Sequence, residues 1–496
     1  MCTIAPPVPP CDVPCPGTPF VDARTTTLLT FPAPEAAPVK TSERRRGECV
    51  VTRATPFVDG GLVMPEPEVT THDLEKDREQ PRNRLFTVGA VVAMSVALTV
   101  LLATVIKPLR PWWMNDFAVY HAAGEAVLNG LSMYDVKAHA GIVADSQFAY
   151  PTFAALLIVP FSLFDRAVAE VLWNFTTAVL LGAILWMSFG MAGVMNRKAR
   201  MTLVVTAMLP CYFLLDPVLV NFDLGQINMV VVALVLTDFS RSLPDRWRGF
   251  AIGVAAGIKL TPLIFVIYLV CIGRGRDALR AVAGMLLTIA IAFAVLPGDS
   301  RRYWFGGLFA SSERLVSDFP ALVNHSLSGL FSRLSGTSAV PGWAPFVTVP
   351  VGLLGLAAAV WAARRGQAMV GMLVVGFTAL LVSPVTWPHH AIWLVPALAW
   401  LTFAAWRTGT LLPRAIAVAV VAHSALALYD PVQRMEGDVA LQTTPSGNLV
   451  ASLGGLLGMI VLGLVTLPVW LRRLERPQPS FDGRGFLSSS RTIGSP

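Results

Sequence analysis

The stretch LFTVGAVVAMSVALTVLLATVIK, residues 85–107, carries no charged side chain from Leu85 to Ile106, and Arg78, Arg82 and Arg84 stand just before it. A helix needs about 17–25 mostly apolar residues to cross the hydrocarbon of a bilayer, so this segment reads as a membrane span. Its flanking arginines place the N-terminus in the cytoplasm, because basic residues are retained on that side. The same pattern recurs down the chain. Of 496 residues, 54% are hydrophobic and only 14% are charged, with a mean hydropathy of +0.61. That composition excludes a water-soluble enzyme, and the number of long apolar stretches excludes a single anchor, a β-barrel or a secreted domain.

The net charge of +7 and the basic isoelectric point do not signal nucleic acid, because the basic residues lie in short runs between apolar segments. These runs are Arg197 to Arg200, Arg241 to Arg248, Arg274 to Arg280, Arg364 with Arg365, Arg407, and Arg472 to Arg476. Placing all of them in the cytoplasm gives about ten full crossings, beginning near 85, 168, 200, 226, 279, 346, 368, 389, 411 and 449, with both termini inside. Two stretches do not fit as single spans. Residues 150–164 are short and begin Tyr150-Pro151, and residues 248–272 are interrupted by Gly257, Lys259 and Pro262. Each is read as a pair of short or broken helices, tolerable only where protein or a cavity covers the freed backbone groups. The expectation is an all-α polytopic bundle of about 11–13 segments. Polar loops at 108–150, 216–225, 298–345, 383–389 and 429–448 then fall outside the cell. Residues 1–84 are Pro-rich and read as a disordered cytoplasmic tail without a signal peptide, 85–471 as the membrane domain, and 472–496 as a second cytoplasmic tail. The six cysteines have neither zinc nor CxxC spacing, so no metal site is expected.

Polar residues that are costly near lipid mark the candidate chemistry. Asp116 follows Trp112 and Trp113, rings suited to the membrane interface, and is set to act either as a general base on a hydroxyl or as a cap of the helix that VYHAAGEAVL predicts. Asp135 reads as the end of a turn. Gln226 and Asn228, in Gly225-Gln226-Ile227-Asn228, suit sugar hydroxyls, although polar glue between helices is the favoured role. Lys259 lies inside an apolar segment beside the helix breaker Pro262, which favours a cavity over snorkelling and makes it a candidate for neutralising a lipid phosphate. His389 and His390 are adjacent, so they do not match an HxxxH metal pair; a donor to phosphate or sugar oxygen is the better reading. Asn324 and His325, with Arg333 beyond them, form a weaker group suited to sugar contacts, as does Tyr120.

These residues sit in DFAVYHAAGEAVLNGLSMYD (116–135), FAYPTFAALLIVPF (148–161), GQIN (225–228), GIKLTP (257–262), NHSLSG (324–329) and SPVTWPHH (383–390). In that order the motifs resemble the polyprenyl-phosphate-mannose-dependent mannosyltransferases of actinobacteria, GT-C type membrane enzymes grouped as glycosyltransferase family 87. The resemblance implies a GT-C-like bundle with an extracytoplasmic active site and Asp116 as catalytic base. It further implies transfer of mannose from a polyprenyl phosphate mannose donor to a glycolipid acceptor, a lipid-linked mannoside or mannan, by inversion to an α-1,2-linkage. Lys259, His389 and His390 would then hold the donor phosphate, and Tyr120, Gln226, Asn228, Asn324 and His325 the sugars. No cofactor or nucleotide is implied beyond the lipid donor, and the expected partners are membrane lipids, donor and acceptor. Where the family commonly has tyrosine-proline-proline, this chain has Tyr150-Pro151-Thr152. Two other readings use the same residues: an arabinofuranosyltransferase fed by decaprenyl-phosphoryl arabinose, and, from another class, a lipid-sugar flippase.

Overall fold

The computed structural model describes residues 114–310 apart from 141–142, residues 324–408 apart from 338, and scattered helical positions within 89–101 and 414–421. Several sequence expectations lie outside the described residues: the tails 1–84 and 472–496, most of the first span, Trp112 and Trp113, the crossings near 411 and 449, and the loop 429–448.

Helix dominates the described residues. The segment after the first span forms α1 (Asn115–Leu128), then a small antiparallel hairpin of β1 (Lys137–Ala140) and β2 (Val143–Gln147), the one departure from helix and turn among the described residues. Then follow α2 (Thr152–Ile158), α3 (Arg166–Ala192), α4 (Arg197–Leu214), α5 (Asp216–Leu224), α6 (Asn228–Phe239), α7 (Phe250–Ile258), α8 (Leu263–Cys271) and α9 (Gly275–Val295). Beyond these come α10 (Pro297–Phe305), α11 (Leu327–Ser335), α12 (Pro345–Arg364), α13 (Ala368–Val382), a 3-10 turn (Pro388–Trp393) and α14 (Leu394–Thr408).

Three of these helices are long and apolar enough to cross a bilayer: α3 with 27 residues, α9 with 21 and α12 with 20. At ~1.5 Å per residue they reach about 30–40 Å, the thickness of the hydrocarbon core or more. α4 and α5 meet at 79° and together make a fourth candidate, while α6 and α13, where crossings are expected near 226 and 368, have only 12 and 15 residues. α3 is well terminated. The Asp165 carboxylate accepts from the backbone N–H groups of Ala167 and Val168, and Gly193 closes the other end in a left-handed conformation.

Two expectations are corrected. Residues 216–225 are not a loop but helix α5, because Pro217 presets its first turn and its polar residues Asp216, Asn221 and Asp223 are buried against neighbouring protein. Residues 150–164 contain one short helix, α2, followed by turns, rather than a pair. The break within 248–272 is where it was expected. α7 ends as Lys259 takes extended dihedrals, φ −147° and ψ 132°, and Pro262, which has no N–H to donate, precedes α8. α7 packs tightly on α9 through Gly253 and Gly257, where an added Cβ would strike the Ala281 carbonyl and the Thr288 side chain. A glycine at every fourth position lets helix backbones approach closely, and this contact fixes the height of Lys259.

The segment carrying Asp116 is held at both ends. Met114, ahead of α1, takes the left-handed conformation at φ 41° and donates its N–H to the Asp223 carbonyl at 2.8 Å, tying α1 to the end of α5. Farther on, Asp299 of α10 accepts from the Ser132 hydroxyl at 2.5 Å and the Met133 N–H at 3.2 Å, and Arg302 pairs with Asp135 at 2.6 Å. Tyr303 stacks on Tyr134, whose hydroxyl donates to the Tyr150 carbonyl at 2.9 Å.

Gly225 at the end of α5 has φ +68°, and a Cβ there would press on Met114 and Phe117 of the Asp116 segment. Left-handed strain of about 1–2 kcal/mol and overpacking of about 1–3 kcal/mol should add in Gly225→Ala. The expected outcome is a clear drop in the temperature at which the detergent-solubilised protein leaves its monodisperse gel-filtration peak. Gly130→Ala, at φ +70° but with open space around it, should suffer only the first of these penalties.

Candidate active site

The αL turn at Met114 starts α1 so that Asp116 falls in its first turn, facing the GQIN segment. Asp116 does not cap the helix; the cap position is Met114, which makes no side-chain cap bond. The carboxylate instead receives the Gln226 amide, Nε2 to Oδ2, at 2.5 Å. Asp135 ends a turn as expected, its N–H donating to the Ser132 carbonyl, and its carboxylate is spent on Arg302.

From Asp116 the hydrogen bonds run on without a gap. Gln226 Oε1 accepts from the Tyr120 hydroxyl at 3.1 Å, the Tyr150 hydroxyl at 3.4 Å and Asn228 Nδ2 at 3.4 Å. Asn228 Nδ2 also donates to the His389 carbonyl at 3.0 Å, and its Oδ1 accepts from Lys259 Nζ at 2.9 Å. The ammonium lies 5.4 Å from the centre of the Tyr150 ring, within cation–π range. Burial pushes the Asp116 carboxyl up to about 6, while the Gln226 hydrogen bond and the charge of Lys259 pull it back down. A carboxylate so poised is a matched proton acceptor near neutral pH.

Beside this chain opens a cavity of roughly 470 Å³, counting its open mouth, between α6, the α7–α8 break, α13 and the 3-10 turn. Its lining mixes polar residues, Asn228, Lys259, Thr261, Ser383, Thr386 and His390, with apolar ones, Val231, Val232, Phe265, Leu380 and Trp393 among them. His390 Nδ1 accepts the Trp387 N–H at 3.2 Å, so in the neutral ring the proton sits on Nε2, which leaves a donor at the cavity wall. His389 is buried and packs edge-on against His390 at 4.7 Å between ring centres, and its Nε2 has no hydrogen-bond partner among the described residues. Among the described residues no group of three His, Cys, Asp or Glu comes together that could hold a metal.

The structure therefore gathers Asp116, Tyr120, Gln226, Asn228, Lys259, His389 and His390 into one continuous site. Asn324 and His325 join it indirectly. Asn324 Oδ1 accepts from the Thr386 N–H at 3.0 Å and the Ser326 N–H at 3.2 Å, while the His325 N–H donates to the Thr386 carbonyl at 2.7 Å. Ser326 and Asn324 side chains also donate to the Pro384 carbonyl. NHSLSG thus pins the loop that carries the histidines. Tyr150 is the site residue that sequence reasoning missed, taken there only as a helix start; its neighbour Pro151 was the signal that its position is rigid.

A poised carboxylate linked to an ammonium at a half-polar, half-apolar cavity, inside a helical membrane bundle, defines a membrane-embedded glycosyltransferase when set beside known proteins. The family model "Glycosyltransferase family 87" matches residues 148–384. A polyprenol-phosphate-mannose-dependent alpha-(1-2)-phosphatidylinositol mannoside mannosyltransferase of Mycobacterium tuberculosis is 31% identical over 311 residues, covering 59% of this chain and 71% of the relative. A polyprenol-phosphate-mannose-dependent alpha-(1-2)-phosphatidylinositol pentamannoside mannosyltransferase of Mycolicibacterium smegmatis is 30% identical over 297 residues, covering 58% and 68%. The chain belongs to glycosyltransferase family 87. No solved structure gives a significant match.

Asn324→Ala strips the acceptor from two backbone N–H groups, and a buried donor left unpaired costs about 1–3 kcal/mol. Amide hydrogen exchange should accelerate at Thr386 and Ser326 by at least tenfold, with little change in α3.

Proposed function

We propose that this protein transfers mannose from a polyprenyl phosphate mannose to a phosphatidylinositol mannoside or related lipid-linked mannan, forming an α-1,2-linkage on the outer side of the cell membrane. The observation that carries the reading is the hydrogen-bonded line from Asp116 through Gln226 and Asn228 to Lys259. It sets a base and a cation at two ends of one site, which is what an inverting transfer from a phosphate leaving group requires.

In the proposed step the Asp116 carboxylate takes the proton of an acceptor hydroxyl as its oxygen attacks the anomeric carbon of a β-linked mannosyl phosphate. The bond from that carbon to the phosphate oxygen breaks on the opposite face, and one inversion yields the α-mannoside. Polyprenyl phosphate departs with the bonding pair. Its growing charge would be met by Lys259 and by the His390 donor at the cavity wall, interactions that strengthen as charge develops, with His389 holding Asn228 behind them. The apolar residues of the cavity lining, Val231, Val232, Phe265, Leu380 and Trp393, suit the first isoprene units. Because the sugar arrives already linked to lipid, the reaction needs no nucleotide. The arginine clusters support termini in the cytoplasm and the α1 segment on the far side.

Two measurements test this. Asp116→Asn should lose at least a thousandfold in transfer of labelled mannose from polyprenyl phosphate mannose, while donor binding persists; retained turnover, or donor translocation in proteoliposomes without a new glycosidic bond, would refute it. In the wild type, kcat/KM should fall as pH drops through about 6, because the base must be ionised and burial has raised its titration to that value. A free aspartate would hold activity down to about pH 4.

A further inference from the structure

Gln226 invites assignment as a sugar contact, since its amide sits in the site. Its hydrogen bonds argue otherwise. The two ends of a carboxamide are alike in shape and opposite in polarity, so its orientation is decided by its neighbours. Three donors converge on Oε1: the Tyr120 hydroxyl from α1, the Tyr150 hydroxyl from the start of α2, and Asn228 Nδ2 from the first turn of α6. Asn228 is itself fixed, because its Nδ2 faces the His389 carbonyl, which only accepts, and its Oδ1 then takes the bond that Lys259 Nζ donates. Asn228 must therefore present N–H to Gln226, which leaves Nε2 of Gln226 to face Asp116. The backbone agrees: the Gln226 N–H donates to the Asn221 carbonyl, and the Gln226 carbonyl accepts from Asn221 Nδ2. With 4% of its surface exposed, Gln226 has little left for a ligand.

We infer that Gln226 is a positioning residue: its locked amide holds Oδ2 of Asp116 and leaves Oδ1 as the single oxygen that receives the acceptor proton. Among the described residues, Oδ1 takes no hydrogen bond from protein. This selects the acceptor hydroxyl by geometry, because the attacking oxygen must line up with one fixed lone pair instead of whichever oxygen a freely turning carboxylate presents. The titratable groups around the pair are Tyr120 on the same helix, Tyr150 before α2 and Lys259 between α7 and α8, with His389 and His390 behind Asn228. Burial raises both phenols, so they stay protonated and keep donating across the working pH range. The assignment rests on Asp116 being the base.

The test is the pH dependence of mannose transfer by the full-length protein in detergent, with labelled polyprenyl phosphate mannose and a phosphatidylinositol mannoside acceptor. Gln226→Glu keeps the shape but sets a second carboxylate against Asp116, so the pair must share a proton. The acidic limb of kcat/KM should move up by about one unit or more, and kcat at pH 7 should fall about tenfold or more while the acceptor KM changes little. Gln226→Met keeps the length and removes the amide; it should move the limb in the same direction by less, and it serves if the glutamate variant does not survive extraction. A rise in acceptor KM with the limb unmoved would overturn the inference and return Gln226 to sugar binding. Activity retained by Asp116→Asn in the same assay would instead remove the base assignment beneath it.

Discussion

A charged pair in low dielectric survives only if each member is hydrogen-bonded, and the site is organised around meeting that demand. Asp116 and Lys259 are not in direct contact. Two amides stand between them, Gln226 and Asn228, each offering an N–H toward the negative end and an oxygen toward the positive end. The line of dipoles satisfies both charges while keeping them apart, so that neither is consumed by the other. Had they met directly, the ion pair would have occupied atoms that the proposed transfer needs for the proton and the phosphate.

The surrounding helices serve that spacing. The close approach of α7 to α9 through Gly253 and Gly257 sets the position at which the chain leaves helix and presents Lys259. Irregular backbone within this apolar segment is tolerable because it lines a cavity, and backbone turns close it on either side, Lys259 N–H to the Ala255 carbonyl and Leu263 N–H to the Leu260 carbonyl. On the other side, the left-handed residues Met114 and Gly225 bring the start of α1 against the end of α5. Strain of about 1–3 kcal/mol at Met114 is offset by its bond to Asp223 and by burial of its side chain.

Much of this was legible in the sequence, for definable reasons. Asp116, Lys259 and His389 stand out because a polar group beside lipid is costly, and cost is visible in composition. The break at Pro262 was legible because proline lacks the donor that a helix requires. What stayed hidden was pairing. Nothing near Gln226 announces that its partner lies 110 residues earlier, so polar glue was the favoured reading without any sign that the carboxylate of Asp116 is what it holds. Asn324 resembled a sugar ligand for the same reason, although it serves as an acceptor for a loop 62 residues further on. Helix α5 was mistaken for a loop because its buried carboxylates and Asn221 look, in one dimension, like exposed polarity.

The bond from Asn228 to the His389 carbonyl spans 161 residues and has a consequence for biogenesis. As the chain leaves the ribosome and enters the membrane from its N-terminal end, the carboxylate is in place early and the amide that orients it soon after. The carbonyl that fixes Asn228 arrives only once the SPVTWPHH segment has been inserted. A nascent chain arrested before that point holds Asp116, Gln226 and Lys259 without the contact that fixes Asn228 between them, so the hydrogen-bonded line and the cavity wall beside it are completed together, late in synthesis.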